Sequence, residues 1–205
     1  MSDPRIPTQE QIDRVLAPYQ TVAERNIATH TEPCIWLRTC YEPSLAPVFE
    51  EMTKDIRNDA WECYRLFENE ALYGGIGPDL VGLYLRMPHL PDTVGYCGYP
   101  ETEDLPISLD LDRPEEESKW LLYDAVLKVR GIMYLMDKEA FRKKMLKLVW
   151  VDLSGNPVWW NWLPPSSTRD FEGHYYGLGH ALHWLLEKGS GSSHYDEEGA
   201  VLEIR

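Results

Sequence analysis

The sequence predicts an α/β (or α+β) fold: a single layered domain with a mixed sheet of about five to six strands, flanking helices, and a late β-hairpin followed by an amphipathic helix. Three observations carry that prediction. Residues 146–163 form two runs of β-branched and aromatic residues around Ser154-Gly155-Asn156-Pro157, a sequence with turn chemistry. Residues 34–67 read as strand, helix, strand, the βαβ pattern, with a right-handed crossover if the strands are parallel. Leu178, Ala181, Leu182 and Leu185 then fall at i, i+3, i+4 and i+7, one apolar stripe on a helix.

Taken in order, Thr8-x-x-Gln11 is a capping-box pattern. Ile12, Val15, Leu16, Tyr19 and Val22 continue at helical spacing, so a helix is expected over 9–26, kinked or split at Pro18. Residues 34–39 read as a strand. Pro43 and Ser44 introduce a helix with the face Leu45, Val48, Phe49, Met52 and Ile56, and 61–67 reads as a second strand. Gly74-Gly75-Ile76-Gly77-Pro78 lacks the GxGxxG or GxxxxGK[ST] spacing that turns backbone N–H groups onto phosphate. It is a turn before a short helix at 79–87, which Pro88 and Pro91 end; 93–97 reads as a third strand. A helix is expected over 115–130, stopping near Gly131, then a strand at 132–136, then a short helix at 138–145 capped by Asp137.

In the hairpin, pairing Leu153 with Val158 sets Val151 opposite Trp160 and Val149 opposite Trp162. Period-two alternation then places Val149, Val151, Leu153, Val158, Trp160 and Trp162 on one wholly apolar face, expected to be core. The other face holds Leu148, Trp150, Asp152, Trp159, Asn161 and Leu163. A carboxylate and an amide among indoles cannot be sealed in an apolar layer without partners, so this face is expected to border water or a pocket. On the following helix His180, His183 and Glu187 oppose the leucine stripe, Trp184 flanks them, and Gly189 is the stop. The globular domain is expected to span 1–188, with an acidic loop at 99–118. Residues 189–205 are expected to be a flexible Gly/Ser-rich acidic tail, in which 200–205 adds an edge strand or trails.

Composition bounds the function. The 205 residues carry a net charge of −14 and eight Trp. From 100 to 118 there are eight acids (Glu101, Glu103, Asp104, Asp110, Asp112, Glu115, Glu116, Glu117) against one base, Arg113, which is half of the net charge. Such a field repels phosphate backbones, so nucleic-acid binding is not expected; the one basic cluster, Arg142-Lys143-Lys144 with Lys147, reads as a solvated face. No apolar run approaches a membrane span and the first residues show no secretory signal. Cys34, Cys40, Cys63 and Cys97 are scattered and outside any CxxC pair, as expected of reduced thiols in a cytoplasmic protein.

Two classes of function fit. The first is an acidic, Trp-rich recognition module that binds a protein partner, a basic one, through Glu115, Glu116 and Glu117 with Trp150, Trp159 and Trp184. The second is a cofactor-independent enzyme acting on a small aromatic or apolar molecule by isomerase, cyclase or lyase chemistry. There Asp152 is the acid/base, His174, His180 or His183 its imidazole partner, and Asn161 the donor to developing negative charge. His174, His180 and His183 have H-x5-H-x2-H spacing, which is neither HExxH nor a Cys/His zinc pattern, so no metal and no cofactor are expected. No GxSxG nucleophile elbow is present. The pattern specifies no oligomeric state.

Overall fold

The computed structural model describes residues 8, 10, 19–29, 35–58, 65–87, 90, 129–152, 155–177 and 198–202. They form one mixed five-stranded sheet with flanking helices, an α+β arrangement. The elements are α1 (Val22–Thr29), β1 (Trp36–Arg38), α2 (Ala46–Met52), α3 (Lys54–Asn58), β2 (Leu66–Phe67), α4 (Glu70–Tyr73), α5 (Val81–Arg86), β3 (Val129–Met136), α6 (Lys138–Lys143), β4 (Leu146–Asp152), β5 (Pro157–Leu163) and α7 (Thr168–Glu172). A π-helical turn, Gly173–Gly177, continues α7. The strand order is β2-β1-β3-β4-β5. β1 pairs parallel with both β2 and β3, and β3, β4 and β5 form an antiparallel meander. The strand, helix, strand expected across 34–67 is present, and its two strands are parallel, with Trp36 beside Leu66.

Each face of the sheet carries a core. On one, Trp36, Tyr134, Leu148, Trp150 and Leu163 pack with Phe49 from α2, Phe141 from α6, Phe171 from α7 and Tyr175 from the π-turn. On the other, Ile35, Leu37, Phe67, Met133, Leu135, Val149 and Val151 pack with Ile27 from α1, Tyr73 from α4 and Leu83 from α5. Large aromatics give the first core its stability: Phe171 and Tyr175, one turn apart, stack at 5.9 Å, and the edge of Trp150 meets both.

The hairpin differs from its predicted register by two residues. Val149 lies opposite Trp160 and Trp150 opposite Trp159, while a bulge at Val158 lets Val151 meet Pro157. A slip of two keeps each side chain on its face, so Val149, Val151 and Trp162 are buried as predicted, whereas Trp160 is half-buried and Leu153 lies outside the described residues. The bulge turns Val158 onto the Trp150 side. The exposure of the mixed face is corrected: Leu148, Trp150, Asn161 and Leu163 are wholly buried. That face is interior because α7 and the π-turn lie over it, and Trp150 Nε1 and Asn161 Oδ1 satisfy each other within it.

Three further differences have local causes. The helix expected through Leu45–Ile56 is broken at buried Thr53, whose hydroxyl donates to the Phe49 carbonyl at 2.8 Å, the back-bond that bends helices. Val129 and Arg130, expected to end a helix, begin β3. Helix α6 stops at Lys143 because Lys144 takes a left-handed conformation (φ 53°) as its C-cap. Its N-cap is as predicted: Asp137 accepts from the Ala140 N–H at 2.8 Å. The strand at 93–97, the acidic loop and the helix at 178–188 lie outside the described residues.

Candidate functional site

The named candidates separate in space. Asn161 on β5 is buried and accepts from Trp150 Nε1 at 2.9 Å. Its own amide donates to the carbonyl of Ala200 at 3.3 Å. Asp152, at the end of β4, is half-buried and holds the hairpin turn: its carboxylate accepts from the Asn156 backbone at 2.8 Å and from the Asn156 amide at 3.0 Å. Gly155 supplies the positive φ that this turn requires. Trp159 is half-buried beside Trp150. His174 is half-buried on the π-turn, next to Tyr175, whose ring packs on Trp150. His180, His183, Trp184, Glu115, Glu116 and Glu117 lie outside the described residues. Of the enzyme candidates, then, Asn161 is tied into the sheet interior and Asp152 into a turn.

The structure gathers a constellation that reading the sequence misses. One transverse row crosses all five strands on a single face: Leu66, Trp36, Tyr134, Leu148 and Asn161. Above its β1–β3 half, the carboxylate of Glu172 at the end of α7 accepts from Tyr134 Oη at 3.0 Å and from Arg65 Nη1 at 3.2 Å on both oxygens. Arg65 is buried, and Trp36 Nε1 beside Tyr134 is buried with no hydrogen-bond partner among the described residues. The guanidinium of Arg65 supplies the counter-charge that holds the half-buried Glu172 carboxylate over the sheet. His174 follows two residues later, in a π-turn, a local geometry frequent at functional sites. No sequence signal links Arg65 to Glu172, which are 107 residues apart.

The opposite core holds a second buried carboxylate. Glu24 forms a capping box with Thr21, whose hydroxyl accepts from the Glu24 N–H at 3.0 Å while Glu24 accepts from the Thr21 and Gln20 N–H groups. Tyr73 Oη donates to it at 2.9 Å, and Arg86 of α5 pairs with it through Nε and Nη2. Burial pushes the Glu24 carboxyl up, but the bonds from Arg86, Thr21, Gln20 and Tyr73 together outweigh it and hold the group below its ordinary value. Burial raises Tyr73, reinforced by the charge of Glu24.

Among the described residues no three His, Cys, Asp or Glu side chains gather as metal ligands, and no helix is long and apolar enough to cross a membrane. Cys40 is a free thiol. Comparison with known proteins finds no matching family, no matching curated protein and no matching solved structure.

Proposed function

We propose that this chain is a non-enzymatic recognition module of the cytoplasm that captures a basic protein partner through the acidic segment 100–118, without contacting nucleic acid. The observation that carries this reading is a contrast in charge. On the described body, five surface acids stand beside cations: Glu42 with Lys138, Glu51 with Lys144, Glu50 and Glu68 with Arg57, and Glu139 with Lys143. The segment 100–118 has eight acids and a single base in its own sequence. A local excess of one sign of charge steers and orients a partner of the other. The interior engagement of Asn161 and the turn engagement of Asp152 add support by occupying two groups the enzyme reading needs.

The test uses a defined Lys/Arg-rich peptide as the probe, in binding titrations at two salt concentrations. Glu115→Lys, Glu116→Lys and Glu117→Lys together are expected to weaken binding about tenfold or more and flatten its salt dependence. Reversing Glu50, Asp55 and Asp170 instead changes the net charge equally at exposed sites of the body. An equal loss from that control means diffuse attraction and ends the proposal.

The second reading, acid–base chemistry on a small aromatic or apolar molecule, keeps one observation of its own: His174 in a π-turn directly after the Arg65–Tyr134-held carboxylate of Glu172. Aromatic fragments that shift the His174 imidazole resonances would move the argument there.

A further inference from the structure

The open side of β5 is occupied by the chain itself. Residues 198–202, inside the stretch read as a Gly/Ser-rich tail, run parallel to β5, with Val201 beside Trp162. Three backbone bonds hold them: Gly199 N–H to Trp160 O at 2.9 Å, Trp162 N–H to Ala200 O at 3.0 Å, and Leu202 N–H to Trp162 O at 2.8 Å. We propose that this edge is a peptide-binding site for an extended Gly-Xaa-Xaa-aliphatic segment of another protein, and that Gly199–Leu202 is the resident occupant such a partner displaces.

The edge selects a residue type at two of the four positions it covers, the first and the fourth. At the first, the Gly199 backbone lies against the Trp160 indole with φ +86°, and any Cβ there overlaps the ring. Only glycine satisfies both conditions. At the second, the carbonyl of Ala200 accepts from the Trp162 N–H and also from the buried Asn161 amide. Asn161 is preset for this, because Trp150 Nε1 holds its oxygen and leaves the NH₂ toward the edge. At the third, Val201 is exposed. At the fourth, Leu202 is buried in the aromatic core. A sheet needing only to close its edge requires backbone bonds alone; the glycine seat, the amide and the aliphatic socket add selection.

The segment touches the sheet along one edge, while β5 is fixed independently by its ladder to β4. A competing strand that supplies its own aliphatic side chain in place of Leu202 would pair with the same β5 edge. The site differs in chemistry from the acidic segment, since residues 198–205 carry two acids and one base.

The test uses the full chain and a fluorescent synthetic peptide of residues 198–205, followed by anisotropy. The wild-type chain, its edge occupied, is expected to bind weakly. Gly199→Val in the chain unseats the resident segment and should tighten peptide binding about tenfold or more. Placing the same Gly199→Val change in the peptide should abolish that gain. Reversing Glu115, Glu116 and Glu117 should leave peptide affinity unchanged, which separates this site from the proposed partner site. If Gly199→Val does not fold, Leu202→Asp, which evicts the segment through its aliphatic anchor, replaces it in the same assay. Equal binding by wild type and variant overturns the proposal, as does equal binding of both peptides. So does loss of fold in both variants, which would make the segment an inseparable part of the sheet.

Discussion

Glu24 and Glu172 are two partly or wholly buried carboxylates in opposite cores of one sheet, each bound by an arginine and a tyrosine. Their helices make them different. Glu24 sits in the first turn of α1, where backbone N–H groups point at it and the dipole favours its charge. Glu172 is the last residue of α7, but the π-turn carries the helix on beyond it, so no helix end lies beneath its carboxylate, which the Arg65 and Tyr134 side chains bind instead. Glu24 is fully buried, whereas the Glu172 side chain keeps 17% exposure. The contrast teaches that the same three residue types make a structural anchor when first-turn N–H groups join them in a sealed site, and a reachable group when the carboxylate lies mid-helix and partly exposed.

Breaking the anchor should cost most. Glu24→Ala leaves Arg86 and Tyr73 facing each other without their acceptor, and a loss of about 3–5 kcal/mol in urea unfolding is expected. Glu24→Gln should also reshape the acid limb of stability. The folded-state carboxyl lies below its ordinary value of 4.5, so its contribution is complete above that pH and disappears as pH falls through the folded-state value. Stability measured from pH 6 downward should therefore decline less steeply in the variant. Arg65→Met should cost less, about 2 kcal/mol, because partly exposed Glu172 recovers solvation. A loss matching that of Glu24→Ala would erase the distinction between the two carboxylates.

Trp150→Phe tests the interior amide beside this comparison. It strands Asn161 Oδ1 in the core at about 1–3 kcal/mol, and adding Asn161→Leu should recover part of that loss in a double-mutant cycle. The smallest effect is expected from Thr21→Ala, which removes one cap bond from the anchor, about 1 kcal/mol by thermal unfolding.

Local chemistry made much of the fold legible. The strand–helix–strand order across 34–67, β3, the Asp137 cap and most of each hairpin face follow from periodicity and capping residues. The capping box of α1 is written in Thr21-x-x-Glu24, the same motif as Thr8-x-x-Gln11, and it marks where α1 begins within the predicted 9–26 helix. The hairpin register was not legible, because a two-residue slip preserves every face and only the bulge at Val158 sets the count. Nor was burial of the mixed hairpin face: α7 and the π-turn cover it, and nothing in the strands specifies what lies above them. The Arg65–Glu172–Tyr134 cluster was the least legible, since each residue alone looks like an ordinary solvated side chain and only the tertiary fold joins them.

The mixed sheet also dictates an order of assembly. β3, β4 and β5 meet through short connections, whereas Trp36 must find Tyr134 across roughly 100 residues, a far costlier loop to close. During synthesis Ile35, Trp36 and Leu37 leave the ribosome long before their central neighbour exists. The nascent chain must therefore shelter an apolar strand from aggregation until the meander arrives to receive it.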